Sequence, residues 1–331
     1  MRKIVPNWVH LPGNHCASTA IRDTMRFNGH DLTEAMCFGL GAGLGTLYLK
    51  ADSLTPTRLV MTRSISLEED FFRALKLPFH WKQEDDPEKA LAEVKAWIDR
   101  DVPVLLQADI YYLDYYHSRT HFNAHVIAMW GYDDEKEEVY LSDTERAGLQ
   151  TVSYSSLAKA RTSNALPPVK NNWHEVNYKE PLGDLKRPVI EAIRKNADIL
   201  LRPPEERPVP TGIRALTDLA RDLPSWSRIS DWKWCARFTY QVIEKRGTGG
   251  SAFRKMYTDF LGEAEEIAPE IKPLRLKENM AEIAATWTQL ASLLKDISES
   301  SEPSRFREAV PVVEDLAAKE EAYTKEVLEN L

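Results

Sequence analysis

The chain has 331 residues, 43% hydrophobic and 28% charged, with 43 Lys and Arg against 51 Asp and Glu and a net charge of −8. That length accommodates two domains with separate cores, and the acidic balance argues against general nucleic-acid binding. Three cysteines, Cys16, Cys37 and Cys235, form no close pairs, so neither a disulfide framework nor a metal site is expected, and a reducing, cytoplasmic setting fits.

In chain order, Met1–Val9 lacks the apolar core of a signal peptide. The turn Pro12-Gly13-Asn14 leads through His15-Cys16 into an amphipathic run, Thr19–Phe27, which predicts a helix with the Cys16 sulfur at its N-terminus. Open N–H groups and the positive end of the helix dipole favour a thiolate there, below the ~8.5 of a free thiol. A buried, inert cysteine is the alternative reading. The glycine-rich run Phe38–Leu49 falls short of the ~20 apolar residues of a membrane helix, so no membrane span is expected. Ser66-Leu67-Glu68-Glu69 is a capping-box pattern that opens a helix to Leu77. Asp86-Pro87 opens another to about Arg100. A strand follows over Val102–Tyr112 and feeds the loop Tyr111-Tyr112-Leu113-Asp114-Tyr115-Tyr116.

The next stretch carries chemistry. His121–Tyr132 reads as a buried strand, Asp133–Glu138 as a turn, and Val139–Asp143 as a second strand ending on a carboxylate. An odd-length connection centred on Glu135 makes His125 and Asp143 diagonal neighbours on one face, and a one-residue slip would separate them. The chain order Cys16, His125, Asp143 is then nucleophile, base and orienting carboxylate. Taken singly, each has an ordinary structural reading: a core thiol, a hydrogen-bonded histidine, a turn aspartate. His121 and His125 lie on extended backbone, which argues against a shared metal. A strand at Thr151–Tyr154, a short helix from Ser156 and a strand at Trp173–Tyr178 complete an α+β arrangement.

From Asp184 the pattern is helical. Arg202–Pro210 reads as a stiff Pro-rich connector, followed by helices over 213–222, 231–246, 251–267, 277–298 and 304–328. Gly247-Thr248-Gly249-Gly250 suits a glycine cap with Ser251 as the next N-cap, a phosphate cradle being the sharper alternative.

Several of these stretches resemble a known family. His15–Ala20, Phe27-Asn28-Gly29-His30, Thr33-Glu34, Phe38–Gly45 and His125–Asp143 are similar to the N-terminal domain of the butirosin biosynthesis protein H family. Gly247–Leu261 resembles the helical domain of unknown function that usually follows it. The resemblance implies a papain-like cysteine fold used for acyl transfer. The family's namesake moves an aminoacyl group from a carrier-protein thioester onto an aminoglycoside amine. Carried over, Cys16, His125 and Asp143 fall on the triad positions. The expected donor is the phosphopantetheine thioester of an acyl carrier protein, or CoA, with no permanently bound cofactor. The expected acceptor is a small-molecule amine or alcohol.

The oxyanion formed in such chemistry needs preorganised donors. The Cys16 backbone N–H is one candidate, with His10 or Asn14 as the second. Tyr111, Tyr112, Asp114 and Tyr115 are candidate acceptor contacts, and Gly39–Gly45 is expected to shape a wall of the acyl pocket. The domains are expected at 1–182, the thiol-enzyme lobe, and 183–331, a helical domain for acceptor or carrier docking or for homodimerisation. Arg228, Lys233, Arg237, Lys245, Arg246, Arg254 and Lys255 offer a basic patch to an acidic carrier. Two rivals stand beside the transferase: a cysteine hydrolase of the peptidase, amidase or thioesterase kind, and a binding module with an inert Cys16.

Overall fold

A computed structural model describes residues 1–202 and 209–331; residues 203–208 of the expected Pro-rich connector lie outside it. The elements are β1 (Arg2–Ile4), α1 (Cys16–Phe27), α2 (Glu34–Leu40), β2 (Leu44–Lys50), β3 (Arg58–Arg63), α3 (Leu67–Ala74), α4 (Pro87–Ile98), β4 (Val104–Ala108), β5 (His125–Asp133), β6 (Glu138–Ser142), β7 (Gln150–Ser153), α5 (Tyr154–Arg161), β8 (Trp173–Glu175), α6 (Lys186–Leu201), α7 (Gly212–Asp222), α8 (Trp232–Glu244), α9 (Arg254–Ile267), α10 (Leu276–Glu299) and α11 (Phe306–Asn330). The fold is α+β. Among the described residues no helix is long and apolar enough to cross a membrane.

The chain folds as two compact units, and each is discontinuous. The first takes Met1–Cys37 and Leu75–Gly183, the second Phe38–Ala74 and Asp184–Leu331. Reading the sequence straight through gave residues 38–74 to the first lobe, whereas the packing gives them to the second.

In the first unit a sheet runs β7-β6-β5-β4-β8, with every neighbouring pair antiparallel and β1 beside the far end of β5. Helix α4 packs on it through Ala90, Val94 and Ile98, four residues apart and therefore on one stripe. Its start follows from local chemistry: the Asp86 carboxylate accepts the N–H groups of Glu88 and Lys89, and Pro87 loses nothing at the first helical position.

A bulge in β5 sets the register that matters most. Near the turn Asp133 pairs with Glu138 and Tyr132 with Val139, but beyond Trp130 the pairs are Met129 with Leu141 and Ala128 with Ser142. The extra residue lets Ile127, Met129 and Tyr132 all face the core. One step further, Asp143 stands across from Ile127, on the face that His125 shares. Without the bulge, the turn-end register would put the two side chains on opposite faces.

In the second unit, hairpin β2–β3 packs with α3 and α6–α11. The Asn196 side chain clamps Leu44 through both its N–H and its carbonyl, at 3.1 and 2.9 Å. Tyr48 donates to Asp222 at 2.6 Å and Thr57 to Asp231 at 2.7 Å. The glycine run serves this packing. A Cβ on Gly39 would lie 2.1 Å from the Phe260 ring, and one on Gly45 would lie 2.5 Å from the Arg63 carbonyl oxygen. The hairpin was not expected because these glycines interrupt its strand pattern.

Around Gly247–Gly250 the sequence reading needs two corrections. Helix α9 begins at Arg254 and not at Ser251, because Ser251, Ala252 and Phe253 form a left-handed turn with φ of 53°, 53° and 70°. The Ser251 N–H, a donor that a phosphate cradle would use, goes to the Glu244 carboxylate at 3.3 Å. The basic patch is also smaller than expected: Arg254 is fully buried, and Arg237 is paired with Glu299.

Candidate active site

Cys16 opens α1, and His15 before it is the N-cap, its ring nitrogen Nδ1 accepting the Ser18 N–H at 3.3 Å. An unusual clamp shapes the approach. Glu34, at the start of α2, accepts the N–H groups of Asn14 and His15, each at 2.8 Å, and the hydroxyls of Ser18 and Thr19 at 3.3 and 3.1 Å. Gly13 admits this arrangement, since a Cβ there would meet Thr19 Oγ1 at 2.1 Å. Thr19 N–H is taken by the His15 carbonyl. Among the described residues, the N–H of Cys16 itself carries no acceptor.

His125 begins β5, and its Nε2 lies 2.8 Å from Asp143 Oδ1, just past the end of β6. That leaves Nδ1 uncommitted to the carboxylate, and Cys16 and His125 each favour the other's charged form. All three groups are buried, Cys16 at 7% exposure. Burial alone would raise the thiol, but electrostatic attraction from His15 and His125, with hydrogen bonds from both, holds Cys16 well below its ordinary value. For His125, burial opposes the charged form, yet Asp143 and then Cys16 push it up to about 10. Both shifts favour a thiolate beside an imidazolium.

Asp143 is surrounded by donors. Besides His125, Oδ1 accepts Thr144 Oγ1 at 2.8 Å, and Oδ2 accepts the Tyr115 hydroxyl at 2.6 Å. Tyr116 reaches both Asp143 Oδ1 at 3.3 Å and His125 Nε2 at 3.2 Å. Burial is the main force opposing ionisation, and His125 with these donors overcomes it, so the carboxyl sits below its usual range. The Arg146 guanidinium lies over both tyrosine rings, at 5.3 and 4.7 Å.

Of the residues singled out in the sequence, Cys16, His125 and Asp143 come together. Tyr115 does so in another capacity, since its hydroxyl is spent on Asp143 and is not open to an acceptor. Tyr111 stacks on His121, and Asp114 accepts the Ser156 hydroxyl. Tyr112 lies edge-on to Tyr111 and packs against the sheet core. Asn14 is exposed and its amide goes to Glu34. His10 bonds Asp23 through Nδ1 at 2.5 Å, while its Nε2 is buried with no partner among the described residues. Sequence reasoning missed His15, Glu34, Tyr116, Thr144 and Arg146. The first two had a visible signal: a histidine beside the thiol, and an acidic residue at a helix start.

Residues 15–144 match the family described as butirosin biosynthesis protein H, N-terminal, and residues 155–327 match a Domain of unknown function (DUF4872). The chain therefore carries the butirosin biosynthesis protein H N-terminal domain followed by a domain of the DUF4872 family. No curated protein matches it. The butirosin family segment begins at His15 and closes at Thr144, so it encloses the thiol, the imidazole and the carboxylate. Family membership points to a biosynthetic enzyme.

His15 offers a clean test of how the thiolate is held. With Nδ1 accepting from Ser18, the ring is left to donate through Nε2, 4.0 Å from the Cys16 sulfur. His15→Asn keeps a capping oxygen and removes that donor. The variant is expected to melt at the wild-type temperature. Its Cys16 alkylation by iodoacetamide at neutral pH should be roughly tenfold slower for each unit the thiol rises. An unchanged alkylation rate would leave His125 as the sole support of the thiolate.

Proposed function

We propose that this protein is a cysteine-dependent acyltransferase of papain-like design. It moves an acyl or aminoacyl group from a carrier-protein or CoA thioester onto an amine or hydroxyl of a small biosynthetic acceptor. The observation that carries this reading is the Cys16–His125–Asp143 arrangement, with an open backbone N–H at the nucleophile.

The Cys16 thiolate attacks the thioester carbonyl, and the oxyanion meets the Cys16 N–H at the positive end of α1. The tetrahedral adduct collapses with cleavage of the donor C–S bond, and the His125 imidazolium protonates the departing thiolate. Neutral His125 then takes a proton from the incoming amine or hydroxyl as it attacks the acyl-cysteine. Collapse releases the amide or ester and restores the Cys16 thiolate beside protonated His125. Asp143 keeps the ring turned and favours its charged form throughout. His10, with Nε2 buried and uncommitted, is the better of the two candidates for a second oxyanion donor, since Asn14 is held by Glu34. In the second unit Arg228, Lys233, Lys245 and Lys255 are exposed cations that an acidic carrier protein would meet.

The test is incubation with acyl-CoA and acyl-pantetheine donors followed by intact-mass spectrometry. Acylation at Cys16, discharged onto added amines, is the expected result. Discharge to free acid whatever the amine would make the protein a hydrolase. Absence of any adduct would favour a binding role.

A further inference from the structure

The imidazole of His15 has no part in the steps above, yet it stands beside the nucleophile. It is 3% exposed, and its Nε2 lies 4.0 Å from the Cys16 sulfur. Two bonds anchor the residue. The Ser18 N–H donates to the ring at Nδ1, at 3.3 Å, and the Glu34 carboxylate takes the His15 backbone N–H at 2.8 Å. With Nδ1 accepting, Nε2 is the ring's donor. The ring caps the start of α1, where the open Cys16 N–H also lies, so two donors stand at one end of the helix.

Attack on a thioester forms the Cys16 S–C bond and moves the carbonyl π pair onto oxygen. That oxygen sits two bonds from the sulfur. A donor 4.0 Å from the sulfur leaves it room to come within about 3 Å of Nε2. In the resting enzyme the same N–H reaches the thiolate only at the far limit of a sulfur contact. Its bond therefore strengthens as charge passes from sulfur to oxygen, and only a bond stronger in the transition state accelerates the chemical step. His10 is held differently. Its Nδ1 lies 2.5 Å from Asp23 Oδ2, and Arg22 holds Oδ1 of the same carboxylate at 2.8 Å. An ionised carboxylate only accepts, so Nδ1 donates there, and His10 donates from Nε2 only as an imidazolium. His15 can do so as a neutral ring.

We propose that His15 Nε2–H is an oxyanion donor, acting with the Cys16 N–H on the tetrahedral adduct. This rests on the acyl-transfer reading and adds a catalytic residue to it. The ring gives up no proton. It bonds the charge while the adduct stands, and is released when the donor C–S bond breaks and the carbonyl re-forms.

The experiment sets acylation against alkylation at the same thiol in the full-length protein. Iodoacetamide needs only the thiolate, whereas phenyl thioacetate also needs the oxyanion held, so the ratio of the two rates reports the donors. His15→Asn keeps an acceptor where Nδ1 stands and removes the group at Nε2. Its ratio should fall about 10²-fold below that of the wild type. His15→Gln, whose amide nitrogen reaches the Nε2 position, should recover part of that loss while melting lower for want of the cap. His10→Ala should lower the ratio less than His15→Asn does. An unchanged ratio in His15→Asn, or a larger fall in His10→Ala, would overturn the assignment while leaving acyl transfer intact. A ratio in His15→Gln no higher than in His15→Asn would also overturn it, by making the residue a structural cap. A wild type that iodoacetamide labels at Cys16 but phenyl thioacetate never acylates would bring down the transferase reading and this one together.

Discussion

His125→Ala is expected to shift the onset of Cys16 alkylation to a pH above that of an ordinary thiol and to lower acyl transfer by about 10⁴-fold. The sign follows from the balance at the sulfur. Burial is the largest influence on Cys16 and acts to raise it; the two imidazoles reverse that. With His125 gone, His15 alone opposes burial, and the thiol form prevails at neutral pH. In the wild type, the thiolate is present above the lowered value of Cys16 and is lost as pH falls through it, which gives the acid limb of both alkylation and transfer. The basic limb of transfer belongs to His125, whose proton is lost as pH rises through about 10. The profile is therefore a broad plateau between the two. Iodoacetamide labelling across pH, with Cys37 and Cys235 as internal references, measures the acid limb directly. Cys37 has no exposed surface, and burial pushes the Cys235 thiol up, so both should lag far behind Cys16. Identical labelling profiles for wild type and His125→Ala would remove the ion pair from the mechanism. Asp143→Asn supplies the complement. Without its carboxylate, burial dominates at His125, and the basic limb should move to lower pH.

How far the sequence reached this site can be followed residue by residue. Cys16 at a helix start is legible because a glycine turn, a polar pair and an amphipathic run succeed one another. His125 and Asp143 are legible as ends of two apolar strands, and their shared face follows from a connection centred on Glu135. The pairing at the turn itself is shifted by one, and the bulge at Trp130 restores the register further along. The expectation thus holds at the site through an irregularity no periodicity announces. Tyr115 and Tyr116 were out of reach for a related reason. Two short 3₁₀ turns, Ile110–Tyr112 and Asp114–Tyr116, end β4 early and bring these hydroxyls back onto Asp143. In the second unit, the helices follow from their stripes and caps. Phe38–Ala74 joins them through long-range bonds to Asn196, Asp222 and Asp231, which leave no local trace.

A further long-range contact of the second unit carries the other large effect. Arg254→Met is expected to destabilise the protein by about 3–5 kcal/mol, a fall in melting temperature on the order of 10 °C for a unit of this size. Arg254 has no exposed surface, and its guanidinium joins four elements of the second unit. Nε and Nη2 hold Glu320 of α11 at 3.0 and 2.8 Å. Nη1 donates to the carbonyls of Gly45, Thr62 and Ala252, at 3.3, 3.3 and 2.9 Å, and Nη2 to Thr46 Oγ1 at 3.2 Å. The indole of Trp287 in α10 lies 4.9 Å beneath it and donates its own N–H to Glu320 at 2.8 Å. Removing the guanidinium leaves Glu320 buried, with the indole N–H still on one oxygen and Oε2 already without a partner. It also strands the carbonyls of β2 and β3 that face it. The penalty is that of an uncompensated charge, not of a lost contact, and this makes a sharp second test. Arg254→Met combined with Glu320→Leu should recover much of the loss, because the orphaned carboxylate goes with its partner. Thermal melts of the two singles and the double separate the cases. A double variant no more stable than Arg254→Met would mean that the hairpin carbonyls, and not the buried charge, govern the stability of this unit.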